Sequence, residues 1–362
     1  MSARSADGQT IVVDTPEEAQ ALPLAPLLVR EPLAVLLDAH GIGEGPIEAQ
    51  LIGEGHSNVT FIVTRGSRRF VLRRPPRPPY QESAHDVVRE VQVLRALAPT
   101  AVPVPRVLLS CEDRSILGVP FYLMDELVGD VITDRVPTQL DTPEGRQGVA
   151  DRMVDALVDL HALDATRPEL ASIGRPGNYL ERQMRRFGTI WDELRTREVP
   201  AVDEVTAWLT DNLPTHSDVA LVHGDFRPAN VMWAPSAPAR IIGVLDWEIA
   251  TIGDPLCDLG WMLSTWPEHG DAHGTLLSEA GAIADGDFPS RAALAARYAE
   301  RSGRSVDDIT WYTAFAFWRA GVGLESFYRR ALDGTSTDPF IHALVRGVPE
   351  LAERALAVVR DA

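Results

Sequence analysis

The chain has 362 residues, 45% hydrophobic and 24% charged, a balance expected of a folded protein of about two domains rather than a disordered one. Its 34 basic and 52 acidic residues give a net charge of −18, which excludes a broad cationic face for a polyanion, so no nucleic-acid partner is expected; the acidity itself serves solubility first. No apolar run reaches the roughly 18 to 20 residues of a spanning helix, residues 1–7 lack the apolar core of a signal peptide, and Cys111 and Cys257 have neither CxxC spacing nor a neighbouring His, so the expected setting is cytoplasmic, without membrane, disulfide or zinc.

Residues 1–25 mix small, polar and Pro residues without a period and predict a flexible tail. Residues 24–40 carry enough Leu and Val for a helix closed by Gly41. Residues 47–52, 59–64 and 69–73 are short β-rich runs separated by Gly-containing turns, the pattern of an antiparallel meander. The first turn, Gly53-Glu-Gly-His-Ser-Asn58, reads on its own as a hairpin loop whose glycines take positive φ. In Phe70-Val-Leu-Arg-Arg74 the period of two puts Val71 and Arg73 on one face and Phe70 and Leu72 on the other. Ser83-Ala-His-Asp86 is a capping box for a helix to about Ala98. The apolar stripe of that helix, Val87, Val91, Leu94 and Ala98, encloses Glu90, and a buried carboxylate needs a partner. Residues 106–111 and 120–124 add two strands, and Met124-Asp-Glu-Leu-Val-Gly-Asp130 ends in a turn.

Beyond this turn the period changes to that of helices, expected over 143–161, from Asn178 through Leu194, over 202–213, and near 256–266, 274–284, 289–302, 306–331 and 339–359. Two apolar runs, 219–222 and 231–233, interrupt them and bracket a polar turn carrying His223, Asp225 and Asn230. A His-Gly-Asp tripeptide alone reads as an Asx turn. The spacing His-x-Asp-x-x-x-x-Asn, however, is that of a kinase catalytic loop, where the Asp accepts a hydroxyl proton and the Asn holds magnesium. An apolar run over 241–245 then ends in Asp246, a second carboxylate placed as a metal post.

His223-Gly-Asp-Phe-Arg-Pro-Ala-Asn230, Leu245-Asp-Trp-Glu248 and Gly253-Asp-Pro-Leu-Cys-Asp-Leu259 together resemble the signature of the aminoglycoside phosphotransferase and choline kinase family, and the likeness runs from about Leu51 to Arg330. Gly55-His-Ser-Asn58, Ser83-Ala-His-Asp-Val-Val-Arg-Glu90, Leu117-Gly-Val-Pro-Phe-Tyr-Leu-Met124 and Gly174-Arg-Pro-Gly-Asn-Tyr-Leu-Glu-Arg182 are most similar to the kinase-like domains found beside acyl-CoA dehydrogenases. Element order and resemblance together give an α+β, protein-kinase-like, two-lobe fold: a tail over 1–25, a small antiparallel β-sheet N-lobe over 26–128 and a larger, mostly helical C-lobe over 129–362.

The resemblance implies that Gly55, Ser57 and Asn58 lie in a turn covering the nucleotide phosphates. Arg73 would grip those phosphates where kinases use Lys, oriented by Glu90. Backbone groups around Met124, Glu126 and Leu127 would receive adenine. Asp225 is the implied base, Asn230 and Asp246 the implied Mg2+ ligands, His223 a strut, and Asp254 and Asp258 caps and braces for the helix that follows. The implied reaction moves the γ-phosphate of ATP or GTP to a hydroxyl of a small molecule. A hydroxyacyl thioester or similar metabolite suits the acyl-CoA dehydrogenase likeness, whereas the tract Trp266-Pro-Glu-His-Gly-Asp-Ala-His273 is only mildly acidic for a polyamine acceptor. A weak, pseudokinase-like nucleotide-binding module is the alternative, supported only by Arg in place of Lys. A metal-dependent hydrolase would leave the covering turn and the Arg73–Glu90 pairing unexplained.

Overall fold

Alternation along Arg68–Arg74 organises the first part of the molecule: Phe70 and Leu72 are fully buried on one face, and Arg73 emerges from the other. The structure, a computed structural model, describes residues 3–4, 10–52, 58–77, 86–271, 281–284, 286–333 and 341–360. It separates into two units, Met1–Pro99 with Val104–Leu127 and Thr100–Pro103 with Val128–Ala362.

In the first unit five strands form one antiparallel sheet in the spatial order Ile47–Leu51, Val59–Arg65, Arg68–Arg74, Phe121–Asp125, Val107–Cys111. Phe61 lies opposite Leu72 and Val63 opposite Phe70, and these four side chains sit in one hydrophobic core with Leu33, Leu37 and Leu123. Arg74 follows the same period into this buried face, where its guanidinium donates to the carbonyls of Leu27, Pro75 and Leu117.

The expected tail is corrected in part. Thr10–Val13 is a strand, parallel to Leu28–Val29, and Ile11, Val12 and Val13 are buried. Pro16–Gln20 is a short helix capped by Thr15, whose side chain accepts from the Glu18 N–H. Four β-branched or hydroxyl residues are too few to display a period, and their partner strand is not adjacent in sequence. Because Leu28–Val29 is used in this pairing, the following helix is Arg30–Ala39 rather than 24–40. It ends in a Schellman motif: Gly41 takes φ +63, its N–H donates to Asp38 O at 3.1 Å and Ile42 N–H donates to Leu37 O at 2.9 Å. The helix Val87–Leu97 is capped by Asp86, which accepts from Arg89 N–H at 3.0 Å; Ser83 of the expected capping box lies outside the described residues.

The second unit is built on the helix Ile309–Leu332, whose Trp311, Phe315, Trp318 and Val322 recur at helical spacing on one face. They share a core with Leu180 and Trp191 of Tyr179–Leu194, Val205 and Leu209 of Pro200–Asp211, and Leu351 and Ala355 of Ile341–Arg360. Pro143–His161, Pro255–Ser264 and Arg291–Ser302 complete the longer helices; of the expected helix over 274–284 only Gly281–Ala284 is described. Asn178 stands at the helix N-terminus with φ 47 and makes no side-chain capping bond. Two small antiparallel sheets punctuate the helices: Ala220–Val222 pairs with Thr251–Gly253, and Val231–Trp233 pairs with both Ile241–Val244 and Asp130–Val131. Among the described residues no helix is long and apolar enough to cross a membrane.

Candidate active site

The polar turn between the strands Ala220–Val222 and Val231–Trp233 is held from below by Asp258, one turn into the helix Pro255–Ser264. Both carboxylate oxygens of Asp258 accept backbone N–H groups of the turn, from Gly224 at 2.7 Å and from His223 at 2.6 Å. His161 Nε2 lies 3.2 Å from the same carboxylate, and its Nδ1 lies 2.8 Å from the Tyr298 hydroxyl. Burial alone would raise the Asp258 pKa, but the His161 hydrogen bond, the two imidazoles and the Gly224 N–H outweigh it and hold the carboxyl below its ordinary value. Asp258 thus braces the turn itself, whereas Asp254 caps the helix by accepting from Leu256 N–H at 2.9 Å and takes the Tyr312 hydroxyl at 2.7 Å.

Gly224 requires its residue type: φ is +85, and a Cβ there would meet the Ile249 side chain at 3.0 Å. His223 is fully buried, with Nε2 donating to Leu245 O at 2.9 Å, Nδ1 accepting from Asp225 N–H at 3.2 Å and its ring 4.4 Å from that of Trp247. With both nitrogens engaged it is a strut.

These supports place Asp225 against the N–H groups of three side chains. Asn230 Nδ2 donates to Oδ2 at 2.8 Å and to the Asp225 backbone carbonyl at 2.8 Å. Trp261 Nε1 donates to Oδ1 at 2.7 Å, and Arg227 Nε lies 3.3 Å from the same oxygen. Burial lifts the Asp225 carboxyl above its ordinary value; Arg227 opposes this, the nearby Asp246 adds to it, and His223 and the Asn230 bond oppose it.

Strand pairing sets Asn230 beside the residue that precedes Asp246. Val231 is opposite Val244, and Leu245 N–H donates to Asn230 O at 2.8 Å, so the residues flanking this pair sit side by side. Asp246 has φ 66, a left-handed backbone that costs a non-Gly residue on the order of 1 kcal/mol and is concentrated at functional sites. Trp247, with Nε1 donating to Val244 O at 2.9 Å, anchors the chain immediately after it.

The first unit carries the other expected residues. Arg73 Nε lies 3.1 Å from Glu90 Oε2, with the Glu90 side chain 2% exposed, so the strand's alternation and the helix's stripe meet at one ion pair. Asn58 and Met124 are both buried. The Glu126 carboxylate is held by Arg69 at 2.7 and 2.6 Å, which lowers its pKa. Gly55 and Ser57 lie outside the described residues.

Sequence reasoning missed Trp261, Arg227, Arg319 and His161. Arg319 Nη2 donates to Gly224 O at 2.7 Å and its guanidinium lies 5.2 Å from the Trp261 ring centroid. A lone cation inside the apolar run of residues 314–322 was the available signal, as was Trp261 at three residues past Asp258, on the same helical face.

Residues 48–306 match the phosphotransferase enzyme family. The chain belongs to this family. It is 32% identical over 309 residues to the mouse (Mus musculus) acyl-CoA dehydrogenase family member 10, a match that covers 83% of this chain and 28% of that protein. It therefore spans well under half the length of this relative. A crystal structure from Ralstonia eutropha, described as a candidate aminoglycoside phosphotransferase, superposes with a TM-score of 0.74 at 30% identity and covers 92% of this chain and 98% of its own. The aminoglycoside phosphotransferase APH(4)-Ia, solved with AMP-PNP and hygromycin B, gives a TM-score of 0.59 at 18% identity over 91% of this chain and 98% of its own, a likeness of fold alone. The α+β, kinase-like fold is therefore common to the family member and its neighbours.

Proposed function

We propose that this phosphotransferase family member moves the γ-phosphate of ATP or GTP to the hydroxyl of a small-molecule metabolite, using Asp225 as base and Asn230 and Asp246 as magnesium ligands. The observation that carries this reading is the Asp225–Asn230–Asp246 constellation, fixed by paired strands. Among the described residues Oδ2 of Asp225 accepts only from Asn230, so it is the oxygen left to receive the acceptor's proton. The hydroxyl oxygen attacks the γ-phosphorus, the bond to the β–γ bridging oxygen breaks with its electron pair leaving on the nucleoside diphosphate, and the proton passes to Oδ2.

Asn230 commits its amide hydrogens to Asp225, which leaves its carbonyl oxygen for a cation, and Asp246, near enough to act on the Asp225 charge, would add a carboxylate. An amide oxygen and a carboxylate suit magnesium, which takes the rest of its shell from water and phosphates. When bound, magnesium would neutralise charge on the phosphate oxygens. Arg73, oriented by Glu90, supplies the phosphate grip and argues against a pseudokinase-like module.

The acyl-CoA dehydrogenase relatives favour a hydroxyacyl thioester or similar metabolite as acceptor. The acidic tract offers little to an aminoglycoside, because Glu268 and Asp271 are both paired with Arg291. The reading is tested by magnesium-ATP and magnesium-GTP turnover against hydroxyacyl thioesters, hydroxy acids and aminoglycosides. Stimulation by the thioesters is expected, and no stimulation by any of the three classes overturns the proposal.

Asp246→Asn is expected to raise the magnesium needed for half-maximal activity by about tenfold or more, and Asn230→Ala by less, since a hard cation gains more from a formal charge than from an amide. A magnesium titration of each variant gives the order. For the Arg73–Glu90 pair, either single alanine substitution is expected to weaken nucleotide binding by about tenfold, and the double substitution by clearly less than the product, the mark of contacting groups. Arg73→Lys separates a point charge from a two-pronged grip on phosphate. Binding isotherms for the four proteins of the cycle measure the coupling, and strict additivity would remove it.

A further inference from the structure

We infer that Trp261 is a positioning residue for the phosphoryl transfer: its indole N–H fixes Oδ1 of Asp225 so that Oδ2 is presented to the acceptor hydroxyl. The inference rests on the phosphotransferase reading of Asp225. Its basis is a contrast among the tryptophans of this unit. Trp247, Trp266 and Trp311 donate to the backbone carbonyls of Val244, Pro289 and Leu209, Trp318 donates to the Thr206 hydroxyl, and the buried Nε1 atoms of Trp191 and Trp233 have no hydrogen-bond partner among the described residues. Trp261 instead donates to the carboxylate of the candidate base, at 2.7 Å. A bond to an ionised acceptor is roughly twice as strong as one to a neutral acceptor.

The placement of Trp261 gives the bond directional force. Asp258 and Trp261 stand three residues apart on the helix Pro255–Ser264 and face the same turn. Asp258 holds the backbone N–H groups of His223 and Gly224, and Trp261 holds the side chain of Asp225, so one helical turn fixes both the loop and its base. The indole is itself held: it is 9% exposed, and Arg319 lies over its ring while donating to Gly224 O. With Asn230 on Oδ2 and Trp261 on Oδ1, the carboxylate plane is set from both ends before the acceptor arrives. Removing the indole N–H leaves Asn230 and the longer Arg227 contact, and the plane is free to turn.

Trp261→Phe keeps the ring and deletes the donor. With magnesium-ATP, and water or the best hydroxylated acceptor as phosphate receiver, kcat is expected to fall about ten- to hundredfold, the scale of one charge-assisted hydrogen bond, while KM for magnesium-ATP stays within about twofold. Trp311→Phe, which deletes an indole bond to a backbone carbonyl in the core, is expected to lower the melting temperature at least as much and leave kcat unchanged. Wild-type kcat in Trp261→Phe, or an equal loss in Trp311→Phe, overturns the inference. The contact has its own readout in the indole 1H–15N spectrum of the eight tryptophans. The resonance that disappears in Trp261→Phe is expected to shift in Asp225→Asn, and an unmoved resonance overturns the contact. A shift in a protein that turns over no nucleotide leaves the contact standing and overturns the positioning role together with the phosphotransferase reading.

Discussion

Asp225→Ala is expected to lower kcat for phosphoryl transfer by about 10²- to 10⁴-fold, the range assigned to a positioned general base, while nucleotide affinity stays close to that of the parent. The reason is where the side chain points its bonds: Asp225 is held by Asn230 and Trp261, and in the proposed reaction its remaining accepting position would serve the attacking hydroxyl rather than the nucleotide. Burial moves its carboxyl toward a more basic value, and Arg227 opposes that shift, so the group is a stronger proton acceptor than a surface Asp. Asp225→Asn refines the result, since it preserves shape and one acceptor oxygen but removes basicity, and it should be nearly as inactive as the alanine variant. Single-turnover rates with magnesium-ATP, set beside binding isotherms for the same nucleotide, measure both halves. Turnover at the parental rate in either variant would take Asp225 out of the reaction.

Asp258→Ala is expected to be the most destabilising single change near the site. It strips the acceptors from the N–H groups of His223 and Gly224 and from His161, all of them buried. Breaking a buried charged pair by removing one partner typically costs about 3–5 kcal/mol, which for a chain of this class corresponds to a fall of roughly 10 °C in melting temperature. Activity should fall with it even where the protein remains folded, because the loop that carries Asp225 loses its floor. The pH dependence follows from the sign of the shift. The folded carboxyl lies below the ordinary value of 3.8, so its contribution is complete above that pH and is lost as the pH falls through the lowered value. The parent should therefore show an acid-dependent component of stability below pH 3.8 that Asp258→Ala lacks. Calorimetry of both proteins across the acid range decides this, and equal melting temperatures at neutral pH would overturn the bracing role.

The sequence by itself determined the features whose information is local. The His-x-Asp-x-x-x-x-Asn spacing and the apolar run ending in Asp246 are readable because a turn between two short strands leaves few places for its polar residues. The alternation in Arg68–Arg74 sets Arg73 on the face away from Phe70 and Leu72, and the apolar stripe of Val87–Leu97 encloses Glu90, but it was the family resemblance that paired them before any coordinates. Other features were decided only by tertiary structure. Thr10–Val13 becomes a strand because Leu28–Val29 lies beside it, and Arg74 is buried because the carbonyls of Leu27 and Leu117 receive it. Asp258 turns from a helix brace into the floor of the loop because His161, far earlier in the chain, arrives on its other side. Trp261 and Arg319 reach Asp225 and Gly224 across long stretches of sequence. A period reports which face of an element is buried, since burial of apolar area follows the geometry of one helix or strand. It does not report which polar atom waits on the opposing element, and here that atom is a carboxylate oxygen of the candidate base.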